Sequence, residues 1–216
     1  MNLIRLMLCA FAFLALTNLA VSAPVTYSFT AEIVSGSSSF VGLRTPAIGD
    51  EVFGQFAYDP EEKLTYDNGY YADYDNPEAR TSASFLGTSV SDRLTHIQVF
   101  DDPIYWGDGI ILNAHVTGTD LLGSYDVISY QIVLLSSNLD LLDRLALPKS
   151  LALSDYEKDA YFWFFGENDK GVDYFQANIA SLSFVTPVPV PAALPLLAGT
   201  ICFFGAACGY RKKFSQ

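Results

Sequence analysis

Cysteine is scarce in this chain of 216 residues, and its three positions, Cys9, Cys202 and Cys208, all lie near the ends. The stretch from Pro24 to Pro187 therefore cannot be held by disulfides and must rely on its own hydrophobic core, for which roughly 160 residues is long enough. The only histidines are His96 and His115, so no Cys/His zinc cluster is present. Each histidine lies in a strand-like stretch, where a packed or surface role is the simpler interpretation.

Positive charge is also scarce in the middle of the chain. All 24 Asp and Glu residues lie between Glu32 and Asp173, whereas four of the 12 Lys and Arg residues lie near the termini. The middle thus carries eight basic against 24 acidic side chains, a net charge of −16. Such a domain repels phosphate backbones, which makes nucleic acid an unfavourable partner. An acidic surface can bind divalent cations, but it more commonly keeps a protein soluble.

Familiar catalytic motifs are missing as well. The sequence contains no G-x-S-x-G elbow, no H-E-x-x-H, no P-loop and no G-x-G-x-x-G, and the middle domain has no thiol. These absences favour a protein without catalytic activity. A glycan-active enzyme stays an alternative, because the separation of two carboxylates that defines a glycosidase site is set in three dimensions.

Among the features that the sequence does contain, the first is an apolar leader. Arg5 precedes the run Leu6–Leu16, and small residues follow it at Val21-Ser22-Ala23. This pattern predicts a signal peptide over residues 1–23, with cleavage after Ala20 as an alternative. The run is too short for a spanning helix, which needs ~20 apolar residues. Lipidation at Cys9 is a weaker alternative, because no small residue stands just before it.

The C-terminal tail is the strongest signal in the sequence. The apolar run Ala192–Tyr210 contains 19 residues and no charge. At ~1.5 Å per residue a helix of this length spans ~28 Å, close to the hydrocarbon thickness of a bilayer. Arg211, Lys212 and Lys213 follow it and predict a cytoplasmic end by the positive-inside rule. The preceding domain, residues 24–187, is then expected on the far side of the membrane, which agrees with the leader.

The segment before this run is Val188-Pro189-Val190-Pro191-Ala192. Its two prolines keep the chain extended ahead of the membrane. Together with the span and the basic end, residues 188–216 resemble the PEP-CTERM sorting domain of Gram-negative bacteria in its VPxPA (VPLPA-like) form. Val190 stands where that family has Glu or Leu. The resemblance implies recognition by an exosortase, transient membrane anchoring, and a final location at the cell surface or in extracellular matrix. A plain single-span anchor is the alternative.

The middle domain shows a period-2 pattern typical of β-strands, with turn-forming residues between the strands. The pattern predicts an all-β antiparallel sandwich or jelly roll, flanked by the signal helix and the transmembrane helix. It also suggests a bulge at Gly54, a shared face for Thr95, Ile97 and Val99, and a short helix over Asn138–Leu147. The predicted strands are Thr26–Ile33, Glu51–Tyr58, Leu94–Phe100, Gly109–Val116, Val127–Leu135, Ala160–Phe165 and Phe175–Val185.

The densest polar cluster offers a weak metal site. Its carboxylates are Asp67, Asp73, Asp75 and Glu78, and tyrosines at 66, 70, 71 and 74 lie among them. Oxygen ligands at such spacing can hold Ca²⁺, although the EF-hand pattern fails, and the tyrosines could stack on sugar rings. The simpler interpretation is a polar loop whose tyrosines fold back on the domain. The sequence therefore favours a non-catalytic surface or matrix protein, with a carbohydrate-binding module, Ca²⁺-dependent or not, as an alternative that would bind extracellular polysaccharide.

Overall fold

The computed structural model describes residues 24–37, 45–75, 79–102, 107–117, 127–142, 145–168 and 171–185. The predicted signal peptide, the predicted sorting motif Val188–Ala192, the predicted membrane helix and its basic end at Arg211–Lys213 lie outside these residues. In the described part of the chain, no helix has the length and apolar character that a membrane crossing requires.

The described residues form one antiparallel sheet, which confirms the all-β prediction. Its strands are β1 (Val25–Gly36), β2 (Glu51–Tyr58), β3 (Tyr66–Asp67), β4 (Tyr71–Tyr74), β5 (Arg80–Phe85), β6 (Thr88–Asp102), β7 (Gly107–Thr117), β8 (Val127–Ser136), β9 (Asp159–Asn168) and β10 (Gly171–Phe184). Every predicted strand overlaps one of these. The short strands β3, β4 and β5 were not predicted, because Ser, Ala and Asp in them weaken the apolar alternation.

The sheet curls far enough that two strands distant in its order, β6 and β7, also pair with each other. The strand order is β3-β4-β6-β5-β2-β1-β10-β9-β8-β7, and β6 also pairs with β7. The long strand β6 makes this possible, because its first half, Thr88–Arg93, pairs with β5 and its second half, Leu94–Asp102, pairs with β7. A curled sheet of this kind leaves few unpaired strand edges, which protects it from edge-to-edge association.

Alternate side chains point into the curl and form an aromatic core. Phe85 of β5 lies 5.0 Å from Phe164 of β9 and 5.1 Å from Phe175 of β10, measured between ring centroids. Tyr130 of β8 donates a hydrogen bond to the carbonyl of Thr81 in β5 at 3.4 Å. These strands are not neighbours in the sheet, so their contacts bring opposite parts of the curl together.

Gly54 and Thr95 differ from their predicted roles. The register of β2 with β1 and β5 is unbroken at Gly54, so no bulge is present. Gly54 is needed instead because a Cβ there would collide with the ring of Phe29. A register shift does occur between Leu94 and His96, and it turns Thr95 outward, where its hydroxyl donates to the carbonyl of Asn113. The inner face of β6 is therefore Leu94, Ile97 and Val99.

The predicted helix over Asn138–Leu147 is not formed. In the described part of this segment the backbone makes turns and bends. The amide N–H of Leu142 donates to the carboxylate of Asp108 at 2.8 Å, and the N–H of Asp140 donates to the side chain of Asn138 at 3.2 Å. These side-chain acceptors take the N–H groups that a helix would pair with backbone carbonyls.

Instead, the described residues of this region, 138–142 and 145–156, lie across one end of the curled sheet, and we call them the closing segment. Tyrosines on the inner faces of three strands hold it: Tyr74 donates to the carbonyl of Leu145, Tyr58 donates to that of Pro148 at 2.8 Å, and the Tyr27 hydroxyl accepts from the N–H of Leu151 at 2.8 Å. A 3₁₀ turn, Leu153–Asp155, ends the segment before β9. Tyrosine hydroxyls thus satisfy backbone groups of the loop that are buried or partly buried.

Candidate functional site

The loop that the sequence singled out is a tight hairpin between β3 and β4. The carboxylate of Asp67 accepts a hydrogen bond from the N–H of Gly69 at 2.7 Å. The amide oxygen of Asn68 accepts from the N–H groups of Tyr70 and Tyr71, both at 2.9 Å. Gly69 has φ 85°, the left-handed region that favours glycine. These polar side chains build the turn itself, as Asp and Asn often do.

The candidate calcium ligands do not converge within this hairpin. Tyr66 pairs with Asp73, and Asp67 pairs with Ala72. Cross-strand partners point to the same side of a sheet, so Asp67 lies on the face of buried Ala72 while Asp73 lies on the opposite face. Asp75 is exposed beyond the end of β4, and Glu78 lies outside the described residues. No group of three His, Cys, Asp or Glu side chains in the described part of the chain is placed to hold a metal ion.

The hairpin tyrosines divide between the two faces. Tyr74 is buried and holds the closing segment, whereas Tyr66 and Tyr70 are exposed. Tyr71 points outward, with its ring 5.6 Å from Tyr66 and 6.0 Å from Phe100. Partial burial, followed by the nearby Tyr66 and Asp73, raises the pKa of Tyr71, so its hydroxyl stays neutral at physiological pH. Only one of the four tyrosines thus folds back into the core.

The two histidines are not brought together. His96 is half-buried on the outer face of β6, and its Nε2 lies 3.2 Å from the amide nitrogen of Asn113. His115 is exposed two residues farther along β7. A histidine whose partner is an amide lacks the carboxylate that orients a catalytic base.

Strand β9 carries a surface that sequence reasoning missed. The segment AYFWFF was predicted as a buried strand, and Phe162 and Phe164 are indeed fully buried. Tyr161, Trp163 and Phe165 alternate with them and are partly exposed on the outer face. We call these three residues the aromatic column. The sequence already indicated this outer surface, because five consecutive aromatic residues in a strand must place rings on both faces.

The rings of the aromatic column contact one another along the strand. Tyr161 and Trp163 meet edge-to-face with centroids 5.9 Å apart, and Trp163 and Phe165 are tilted with centroids 4.7 Å apart. Both distances fall in the range of favourable aromatic pairs. The three rings therefore hold each other in place and present one continuous apolar strip.

Strands β8 and β10 border the column with mostly uncharged polar side chains. Trp163 is paired with Gln131 on one side and Gln176 on the other. The remaining neighbours are Val133 and Asn178 beside Tyr161, and Ser129 and Tyr174 beside Phe165. The indole Nε1 of Trp163 is shielded from solvent and has no hydrogen-bond partner among the described residues.

The three rings of the column are uncharged, and the carboxylates of Asp159 and Glu167 lie on the same face of β9 beyond its two ends. Burial, followed by the charge of Asp159, raises the pKa of Tyr161, which keeps its phenol protonated across physiological pH. Comparison of the chain with protein-family models, with curated protein sequences and with solved structures finds no match. The outer face of β9 thus presents an apolar strip of rings flanked by amides and hydroxyls, which can bind a ligand having both apolar faces and hydroxyl groups.

Proposed function

We propose that this protein is exported through the inner membrane, sorted by an exosortase-like enzyme, and displayed without catalytic activity at the cell surface or in extracellular matrix. The support comes from the two ends of the sequence and from the position of the last described strand. The last strand ends at Phe184, and the N–H of Val185 donates to the carbonyl of Thr26 at 2.8 Å. Only Thr186 and Pro187 separate this closure from the motif Val188–Ala192.

This junction is the observation on which the proposal depends most. Because β10 pairs with β1 as far as Phe184, the chain is held by the sheet to within a few residues of the motif. A sorting enzyme acting on an extended Pro-x-Pro segment would then meet a substrate directly bordered by a folded domain. Cleavage there would release the domain whole and leave the apolar run and Arg211–Lys213 behind.

We also propose that the domain belongs to the sandwich or jelly-roll architecture. The contacts of Phe85 with Phe164 and Phe175 support this, because they join opposite parts of the curl as two facing layers would. The faces of such a domain are available for binding after release, whereas its interior is filled by aromatic side chains.

The test of sorting is mass spectrometry of the accumulated protein, isolated from the surface or the medium. We expect a mature C-terminus within or next to residues 188–192 and no peptide from 211–216. The matched variant Pro189→Ala with Pro191→Ala should retain the tail in the membrane, because the segment loses its extended restraint. If the accumulated wild-type protein carries an intact Arg211–Gln216 end, sorting by cleavage is wrong and a plain anchor remains.

A carbohydrate-binding module is the second candidate, and one observation favours it. The aromatic column lies on an outer face with amide side chains at its centre. A calcium-dependent version that uses Asp67, Asp73, Asp75 and Glu78 stays a prediction, because Glu78 is outside the described residues. The glycan-active alternative has no comparable support from the geometry.

A further inference from the structure

We propose that the outer face of β9 is a binding platform for a neutral, extended polysaccharide, with sugar rings stacked on Tyr161, Trp163 and Phe165. This inference goes beyond the sorting proposal and does not depend on it. It also places the ligand on a different surface from the hairpin that the sequence suggested.

The first argument is the shape of the column. Residues two apart on a strand are about 6.6–6.8 Å apart along its axis, so the three positions make a linear track of about 13 Å. The measured ring contacts of 5.9 and 4.7 Å show that this track is continuous. A linear polymer can follow such a track with successive units, whereas a compact small molecule would leave most of it uncovered.

The second argument is the chemistry of the borders. Gln131 and Gln176 lie on either side of Trp163, at the centre of the track. An amide side chain both donates and accepts hydrogen bonds, and so does a sugar hydroxyl. The apolar faces of the sugar rings would lie on the aromatic rings while their equatorial hydroxyls reach the flanking amides.

The third argument is charge. The residues of the column and their partners on β8 and β10 carry no charged side chain: Ser129, Gln131, Val133, Tyr161, Trp163, Phe165, Tyr174, Gln176 and Asn178. The rest of the domain is strongly acidic, with a net charge of −16. An anionic polymer would be repelled at long range. Asp159 and Glu167 stand on the same face of β9 beyond the two ends of the column, and they add to this repulsion. A neutral polymer meets no such barrier and finds three uncharged rings between the two carboxylates.

A second protein chain fits this surface less well. Stable protein interfaces bury about 1,200 Å² or more and place apolar residues over a broad centre. The exposed rings lie mainly along β9, with Tyr174 beside Phe165 at one end, and Gln131 and Gln176 border the centre. A narrow apolar strip between polar rows is suited to a narrow ligand.

The experiment uses the full-length protein in mild detergent, with Trp106→Phe introduced so that Trp163 is the only tryptophan. Hydroxyethylcellulose, xyloglucan and galactomannan are the neutral probes, and alginate is the anionic one. We expect at least one neutral polymer to shift Trp163 fluorescence and to retard the protein in affinity electrophoresis, with no effect of alginate. EDTA should change neither result, which separates this site from a calcium-dependent hairpin site.

Matched variants localise the binding. Tyr161→Ala should weaken it about tenfold or more, as removal of one stacking ring does at other ring-stacking sites. Phe53→Ala, which removes an exposed ring from the outer face of β2, should leave it unchanged. Gln131→Ala with Gln176→Ala tests the borders without removing any ring, and is expected to weaken binding while the thermal melt stays the same.

Three outcomes would overturn the proposal. One is that none of the neutral polymers affects Trp163 fluorescence or mobility. Another is that Phe53→Ala weakens binding as much as Tyr161→Ala does. The last is a concentration-dependent dimer that Tyr161→Ala abolishes, which would assign the surface to a second copy. None of these results bears on the C-terminal mass spectrum, so the sorting proposal stands or fails separately.

Discussion

Two regions on the outer side of the curled sheet, each referred to below as a face, differ in the chemistry of their side chains. The aromatic column occupies one of them. The other, which we call the hydroxyl face, covers the outer sides of β5, β2, β1 and the end of β10 and is built mainly of Ser28, Thr30, Ser82, Ser84 and Ser181. Both faces have the same alternating backbone, so the difference comes from the side chains alone.

The two faces also differ in how they satisfy their polar groups. On the hydroxyl face, Thr30 and Ser181 share a hydrogen bond at 2.7 Å across β1 and β10, and Ser84 and Ser89 share another at 2.7 Å across β5 and β6. On the aromatic side, the indole nitrogen of Trp163 has no partner among the described residues. A face whose polar groups pair with each other gains little from a ligand, whereas exposed rings bordered by the amides of Gln131 and Gln176 offer a ligand both apolar and polar contacts.

The largest expected effect is a difference in unfolding free energy between variants on the inner and the outer side of β9. Phe162→Ala removes a ring that is fully buried between β8 and β10, and we expect it to lower the free energy of unfolding by about 3–5 kcal/mol. Trp163→Ala, one residue away and partly exposed, should cost clearly less, about 1–2 kcal/mol. Urea denaturation followed by far-UV circular dichroism measures both. Equal losses would show that the column is part of the core and not a surface.

A smaller effect concerns the buried carboxylate that holds the closing segment, and it depends on pH. Asp108 in β7 is fully buried, and burial raises its pKa above the ordinary value of 3.8. The folded state therefore binds a proton more tightly than the unfolded state, and stability is lost as pH rises from the ordinary pKa through the raised one. Asp108→Asn should melt at a higher temperature than the wild type at pH 7, with the difference vanishing near pH 3.

The control variant is expected to show the opposite pH dependence of stability. Hydrogen bonds from Ser137 lower the pKa of the exposed Glu157. Its carboxylate stabilises the fold above its unfolded pKa, and that contribution is lost as pH falls through the lowered pKa. Glu157→Gln should thus be slightly less stable than the wild type at pH 7 and equal to it in acid. Matching pH profiles for the two variants would contradict the assignment of burial as the cause at Asp108.

The smallest effect is expected on the hydroxyl face. Thr30→Ala and Ser181→Ala should each cost only a few tenths of a kcal/mol to about 1 kcal/mol, because the remaining hydroxyl can bind water at this partly exposed position. A double-mutant cycle on thermal or urea unfolding isolates the pair and should give a coupling below about 1 kcal/mol. Neither variant should alter polysaccharide binding. A loss of binding would mean that the two faces do not differ in function.

Much of the sheet could be predicted from local pattern. The bounds of β2 were predicted as Glu51–Tyr58 and are the same in the structure. Irregular positions in the strands were harder to predict. The register shift that turns Thr95 outward depends on the pairing of β6 with β7. The requirement for glycine at position 54 depends on the ring of Phe29 in β1. The carboxylates of the hairpin were close in sequence, but the strand register separates Asp67 from Asp73.

The sequence by itself determined that five aromatic residues in one strand would be divided between two faces, because side chains in a strand alternate with period 2. It also determined an acidic, disulfide-free middle domain between two apolar ends. Only the tertiary structure decided that Gln131 and Gln176 would flank Trp163, and that the closing segment would lie across one end of the sheet instead of forming a helix. The physical reason is that cross-strand register and loop contacts join residues far apart in the chain, and local periodicity carries no information about such pairings.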